Sequence, residues 1–257
     1  MKLSRSTFLF LALNLFAGIV CAQEYYEIKI YHLDNADQGT RVEEFLKSAY
    51  LPAAHRAGIK AVGIFTPVES DTVYAGKRIY VLTPFSSLEH YGKFPAQLEK
   101  DMAYQSAGKS YLDAVYTSPP FSRITAVVCK AFSGMKKMEV PKHPTPPRER
   151  VYELRSYEGH TEKIFQNKVK MFNDGDEIGL FRRLQFNAVF YSEVIAGPRM
   201  PNLLYMTTFS NMDSRNEHWK TFVADPQWKT LSSMPEYQHN VSKIEIFLLR
   251  PTDYSDI

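Results

Sequence analysis

Two hexamers in this chain carry an acid, a base and tyrosines in the same order: YEIKIY at Tyr26 to Tyr31 and YELRSY at Tyr152 to Tyr157, an offset of 126 residues. In an extended strand successive side chains point to opposite faces. Glu27, Lys29 and Tyr31 therefore share one face, and Glu153, Arg155 and Tyr157 share its counterpart. With Tyr26, Ile28 and Ile30 taken as the helix-facing side, the polar set is expected to face the space between two sheets. There the cations would hold an anionic group while tyrosines stack or donate hydrogen bonds. A plainer reading pairs Glu27 with Lys29 and Glu153 with Arg155 as partly buried ion pairs in a barrel filled by its own side chains. Tyr80 and Tyr205, on equivalent third strands, complete the candidate ligand-binding set.

His32, at the end of the first strand where a barrel mouth opens, is the candidate general acid or base, with Tyr31 beside it and Glu27 nearby. His55, followed by Arg56 at a helix end, is a second candidate, and an exposed or capping role competes with catalysis for both. The seven histidines show no HxH, HxxH or HExxH spacing, so no metal site is expected. The motifs GxGxxG, GxxxxGK[ST] and GxSxG do not occur either, which removes support for nucleotide, phosphate-loop and hydrolase chemistry, and no cofactor is expected. Trp219, Phe222 and Trp228 have the spacing of an apolar helical stripe interrupted by Asp225 and Pro226. Core packing with Pro226 starting a new helical turn is the expectation, and an aromatic ligand cage is the alternative.

Elements that would position these residues follow from a repeat. IYVLTPFSSLE from Ile79 recurs as LLYMTTFSNMD ending at Asp213, and GIKAVGIF from Gly58 resembles GLFRRLQFNAVF from Gly179. Hydrophobic periodicity predicts strands near 24–32, 60–67, 77–83 and 122–130, with helices near 39–57 and 86–106. In the second half it predicts strands near 150–157, 183–195, 202–208 and 241–249, with helices near 160–178 and 211–234. Each half thus reads βαββαβ, the ferredoxin-like order. The expected architecture is α+β: two tandem ferredoxin-like repeats, 23–137 and 150–257, whose sheets cover one another as an intramolecular dimeric α/β barrel. Between them, 138–149 holds prolines 141, 144, 146 and 147 and reads as an extended, exposed linker.

The 257 residues are 44% hydrophobic and 23% charged, a globular composition. Lys2 and Arg5 precede an apolar run from Phe8 to Val20, too short to span a bilayer, and small residues at Cys21 and Ala22 follow. Residues 1–22 are expected to be a cleaved signal peptide, leaving a periplasmic or secreted chain with no integral membrane segment. Cleavage removes two bases and no acids, so the formal charge falls from +3 to +1, too little for a nucleic-acid partner. It also leaves Cys129 alone in ITAVVCKAF, where a buried hydrophobe is expected rather than a reactive thiol.

YELRSY opening a repeat, the glycine-led turn into a strand, and WKTFVADPQWKTL at Trp219 to Leu231 before a strand ending in LLRP resemble the NIPSNAP family, members of the dimeric α/β-barrel superfamily. The closer match lies at about 150 to 251. The first half keeps IYVLTPFSSLE but has KFPAQLEKDMAY where the tryptophan pattern would stand. The resemblance implies the fold and brings no defined reaction. It leaves three expectations for function: a barrel binding a small polar or anionic molecule; a cofactor-independent monooxygenase or cyclase using His32 with Tyr31 or Tyr80; and a protein-interaction module with a filled barrel. The assembly, monomer or homo-oligomer, stays open.

Overall fold

Among the described residues, runs rich in β-branched and aromatic residues form eight strands. They are β1 (Tyr25–His32), β2 (Gly63–Pro67), β3 (Arg78–Phe85), β4 (Arg123–Ala131), β5 (Val151–Glu158), β6 (Ala188–Ala196), β7 (Asn202–Phe209) and β8 (Lys243–Pro251). The structure, a computed structural model, describes residues 22–257. The signal peptide expected at 1–22, with Cys21, lies outside the described residues but for Ala22. All strand pairs are antiparallel and close into one barrel in the order β1-β3-β2-β8-β5-β7-β6-β4. The seams between the halves are β2 with β8 and β4 with β6.

Helices wrap the outside. In the first half, α1 (Ala36–Phe45) runs through a π-helical turn, Leu46–Tyr50, into α2 (Leu51–Arg56), and α3 (Leu88–Lys100), α4 (Met102–Ala107) and α5 (Lys109–Leu112) follow β3. In the second, α6 (Glu162–Asn173) and α7 (Glu177–Arg183) follow β5, and α8 (Met212–Ala224) and α9 (Pro226–Ser233) follow β7. Each half is β-α-β-β-α-β, as expected. Side-chain oxygens of Asn35, Ser87, Thr161 and Asn211 accept from backbone N–H groups three residues on and start α1, α3, α6 and α8. Pro226 stands first in α9 behind the Asp225 cap. Gly58, at φ +89, ends α2.

Strand β2 starts at Gly63, three residues later than expected, and β6 starts five residues later. Residues 183–187 are the end of α7 and a turn in which Gln185 and Asn187 take positive φ, so β6 begins at Ala188. Segment 138–149 is irregular except for a 3-10 turn at Pro147–Glu149, and it is tied to the barrel where Met138 N–H donates to Glu24 Oε2 at 2.8 Å and Glu139 N–H to the Val189 carbonyl at 2.9 Å.

Strand alternation holds, but its sense is opposite to the expectation. Tyr26, Ile28, Tyr152 and Leu154 point into the barrel, where they meet Phe65, Val127, Phe190, Met206 and Leu249. Glu27, Lys29, Tyr31, Glu153, Arg155 and Tyr157 point outward under the helices. A closed barrel leaves no wet gap between its sheets, so the inner face must be the one that needs no partners; each large apolar side chain packed there contributes roughly 1.5–3 kcal/mol. Polar groups on the other face find partners on the helices. The pairing of Tyr80 with Tyr205 is corrected by the same geometry. Lys29 lies opposite Val81 and Arg155 opposite Tyr205, so Val81 is the counterpart of Tyr205. Tyr80 points into the lumen, its ring 5.9 Å from that of Phe247. Cys129 is fully buried in the same interior, where burial pushes its thiol up to about 12.

The Asn211 cap fixes where α8 starts. Asn211→Ala is expected to lower stability by about 0.5–2 kcal/mol in denaturant unfolding, and Asn211→Asp to retain most of it.

Candidate functional site

Glu153 sits in the middle of β5 with none of its surface exposed. An isolated carboxylate there would be strongly disfavoured, and this one accepts four hydrogen bonds. Arg155 Nε donates to Oε1 at 2.6 Å, Arg215 Nε to Oε2 at 2.8 Å, Arg215 Nη2 to Oε1 at 3.0 Å and Trp219 Nε1 to Oε2 at 2.8 Å. Burial pushes the carboxyl's pKa up; the Arg215 hydrogen bonds and the charges of Arg155 and Arg215 outweigh this and hold it below the ordinary carboxylate value. Arg215 and Trp219 are four residues apart on α8, hence on one face, so the carboxylate ties that helix to the sheet.

The same contacts orient Arg155. Its guanidinium carbon lies 3.6 Å from the centre of the Trp219 ring, and its Nη1 donates to the Tyr157 hydroxyl at 2.9 Å. The Tyr157 and Tyr205 hydroxyls are 2.9 Å apart. Burial, then the neighbouring Tyr157, raises the Tyr205 phenol, so it stays protonated. Nη2 of Arg155 has no hydrogen-bond partner among the described residues. Nearby, Lys168 on α6 and Glu177 on α7 form a second buried pair at 2.8 Å, with the Lys168 ammonium 4.7 Å from the Phe172 ring centre.

Arg155, Tyr157, Lys168, Glu177, Tyr205 and Arg215 line a cavity of about 500 Å³ between the sheet and the helices of the second half. Trp219, Phe222 and Trp228 form much of its apolar wall, with Asn240 at the far side. Around it stand three cations, Arg155, Lys168 and Arg215, against two carboxylates, Glu153 and Glu177, so the site carries one net positive charge. Its size, aromatic walls and excess cation suit a small anionic molecule with a flat apolar part.

The residues singled out in the sequence fall in three places. Arg155, Tyr157 and Tyr205 line this cavity, and Glu153 lies behind it, bonded to the lining residues Arg155, Arg215 and Trp219. Glu27 and Lys29 pair at 3.4 Å under the first-half helices, where the Tyr50 ring lies 5.6 Å from the Lys29 ammonium. Tyr31 is packed between the rings of Tyr111 and Phe121, at 6.4 and 5.9 Å. His32 and Tyr80 belong to the barrel interior and its mouth. Tyr31 and His32 are consecutive in one strand and face opposite ways, so they do not act together. His55 bonds Asp256 Oδ2 at 2.9 Å on the surface.

The first half lacks the clamp. Counted from the caps Ser87 and Asn211, Tyr91 stands where Arg215 does and Pro95 where Trp219 does. Lys168, Glu177 and Arg215 were not found by sequence reasoning. One signal was available: Lys168 interrupts the apolar face of α6 formed by Phe165, Met171 and Phe172, as a buried, partnered lysine would.

A closed eight-stranded barrel built from two ferredoxin-like halves, with a ligand-sized cavity under its helices, is an intramolecular dimeric α/β barrel. Residues 152–256 match the NIPSNAP family model. No curated protein matches the chain in sequence. Among solved structures it resembles a candidate monooxygenase from Lactobacillus acidophilus at 10% identity, covering 89% of this chain and 94% of that one with a TM-score of 0.58. A candidate monooxygenase from Fusobacterium nucleatum gives 6%, 90%, 93% and 0.56, and an anthrone oxidase-like protein 9%, 90%, 92% and 0.51. At such identities the likeness is one of fold.

Because Glu153 is lower in pKa folded than unfolded, the stability it contributes is complete well above the ordinary value of 4.5 and is lost as pH falls through 4.5 toward the folded value. Glu153→Gln is expected to cost about 3–5 kcal/mol near neutral pH, since it leaves the buried Arg155 and the part-buried Arg215 guanidinium groups without a counter-charge. Urea unfolding from pH 7 to pH 3 should show a shallower acid decline in the variant than in the parent.

Proposed function

We propose that the chain is an exported barrel protein whose NIPSNAP half binds a small anionic, partly aromatic molecule between the helices and the sheet. The observation that carries this reading is Arg155: buried, stacked on Trp219, held by Glu153 and Tyr157, and left with Nη2 free beside a cavity of about 500 Å³. A guanidinium fixed in this way is prepared for a carboxylate or similar oxyanion without further ordering. Export is supported by Lys2 and Arg5 ahead of the apolar run and the small residues that end it. Duplication of one ferredoxin-like unit is supported by the YEIKIY and YELRSY hexamers.

Arg155→Gln leaves Glu153 bonded to Arg215 and Trp219, so the fold should persist. Native and denaturing mass spectra of the mature protein are expected to differ by a reproducible small mass that Arg155→Gln abolishes. Identical spectra for parent and variant, with no extra mass in either, would remove the reading.

A second reading, a monooxygenase or cyclase without a bound cofactor, is supported by the hydrogen-bonded Tyr157 and Tyr205 phenols, which leave one O–H to donate to the oxyanion of an enolised substrate. On this reading anthrone, suggested by one structural neighbour, drives oxygen uptake that Tyr157→Phe reduces by on the order of 100-fold. An unchanged rate in Tyr157→Phe would exclude a role for the phenol pair.

A further inference from the structure

The molecule has a second cavity, at one end of the barrel and separate from the one under the helices. At one end of the lumen Ile28, Val127, Leu154, Leu204 and Phe247 form the apolar floor of a cavity of about 200 Å³. Its rim runs into a surface cleft of about 390 Å³ that shares His32 and Arg78 with it.

Strand register sets the charge of that rim. Arg78 on β3 and Arg123 on β4 both lie directly opposite His32 on β1. Directly paired residues project to the same face, so three basic side chains stand in a row across adjacent strand ends. Neither Arg78 nor Arg123 forms an ion pair with any described residue. Arg78 is nonetheless held in place: its guanidinium carbon lies 3.5 Å from the Tyr74 ring centre, and Nη1 donates to the Tyr80 hydroxyl at 3.3 Å. His32 Nε2 is 2.9 Å from Thr125 Oγ1. Burial, then Arg78, then Arg123 lower the basicity of His32. Asp34 lines the same cleft and Arg199 at the lumen mouth pairs with Glu245, so with Lys77 the cations of the rim still outnumber its carboxylates. Across the opening, Ser156 and Asn202 are buried and bond one another, with Asn202 Nδ2 donating to Ser156 Oγ at 2.9 Å.

We infer that the barrel mouth is a second binding site, for a short aliphatic monocarboxylate whose chain enters the lumen and whose carboxylate lies against Arg78 and His32. The floor is mostly branched aliphatic and narrow, which favours an alkyl chain over a fused ring. The rim is cationic on balance, with Arg78 and Arg123 in no ion pair among the described residues, which favours an anion over an alcohol or amine. The site shares no lining residue with the cavity around Arg155, so occupancy of one does not require the other.

Hexanoate titrated into the mature protein, followed through the His32 ring resonances by NMR, tests this. Saturable shifts are expected, with 1-hexanol bound at least about tenfold more weakly, since it lacks the charge-assisted contact. Arg78→Gln should weaken hexanoate by a similar factor, and Ile30→Phe, at the lumen mouth, should also weaken it. Arg155→Gln should leave its affinity unchanged. If Arg78→Gln is not folded, Arg78→Lys keeps the charge but not the fork, and a several-fold loss is expected from it. Absence of saturable His32 shifts, equal binding of hexanoate and 1-hexanol, or loss of hexanoate binding in Arg155→Gln with none in the Arg78 variants would overturn the proposal.

Discussion

A carboxylate with no exposed surface is tolerable only if its charge and its lone pairs are matched, and Glu153 imposes that requirement on everything around it. Two arginines and an indole meet it, and two of these three donors come from α8. The helix is thereby set at one height and rotation over the sheet, with Trp219 turned toward Arg155. The cavity beneath the second-half helices is a consequence. Its wall is the stacked Trp219, and its cation is the Arg155 that Glu153 orients.

The other half shows what happens without that requirement. Glu27 keeps a small exposed fraction and one partner, Lys29, on its own strand. Its third helix has Tyr91 and Pro95 in place of Arg215 and Trp219, and the space under it is taken by the rings of Tyr50 and Phe94, 6.0 Å apart. One scaffold thus supports an open polar site on one side and packing on the other. The family match falls on the half that carries the clamp.

Closure of the barrel is the second constraint. It abolishes sheet edges, and it divides every strand into a face that must be dry and a face that helices can serve. Deep in the lumen Tyr26, Phe65, Tyr152 and Phe190 fill the space. Toward the ends of β1, β3 and β4 the strands run out into basic residues, and the apolar interior meets a cationic rim there.

Much of this was legible in the residues. The YEIKIY and YELRSY hexamers, the Gly58 helix end, and the Asp225 and Pro226 start of α9 depend on local backbone preferences and on period, which act between near neighbours. The βαββαβ order could be read from them, and so could the grouping of Glu153, Arg155 and Tyr157 on one strand face. The facing of the strands could not, because alternation separates two faces without saying which is inside; closure of the sheet decided that, and it placed Tyr80 and Tyr205 on opposite sides. Nor could spacing reveal that Lys168, Glu177, Arg215 and Trp219 join the same site. Arg215 and Glu153 are 62 residues apart, and only the packing of α8 on β5, driven by the need to neutralise a buried charge, brings them within 2.8 Å.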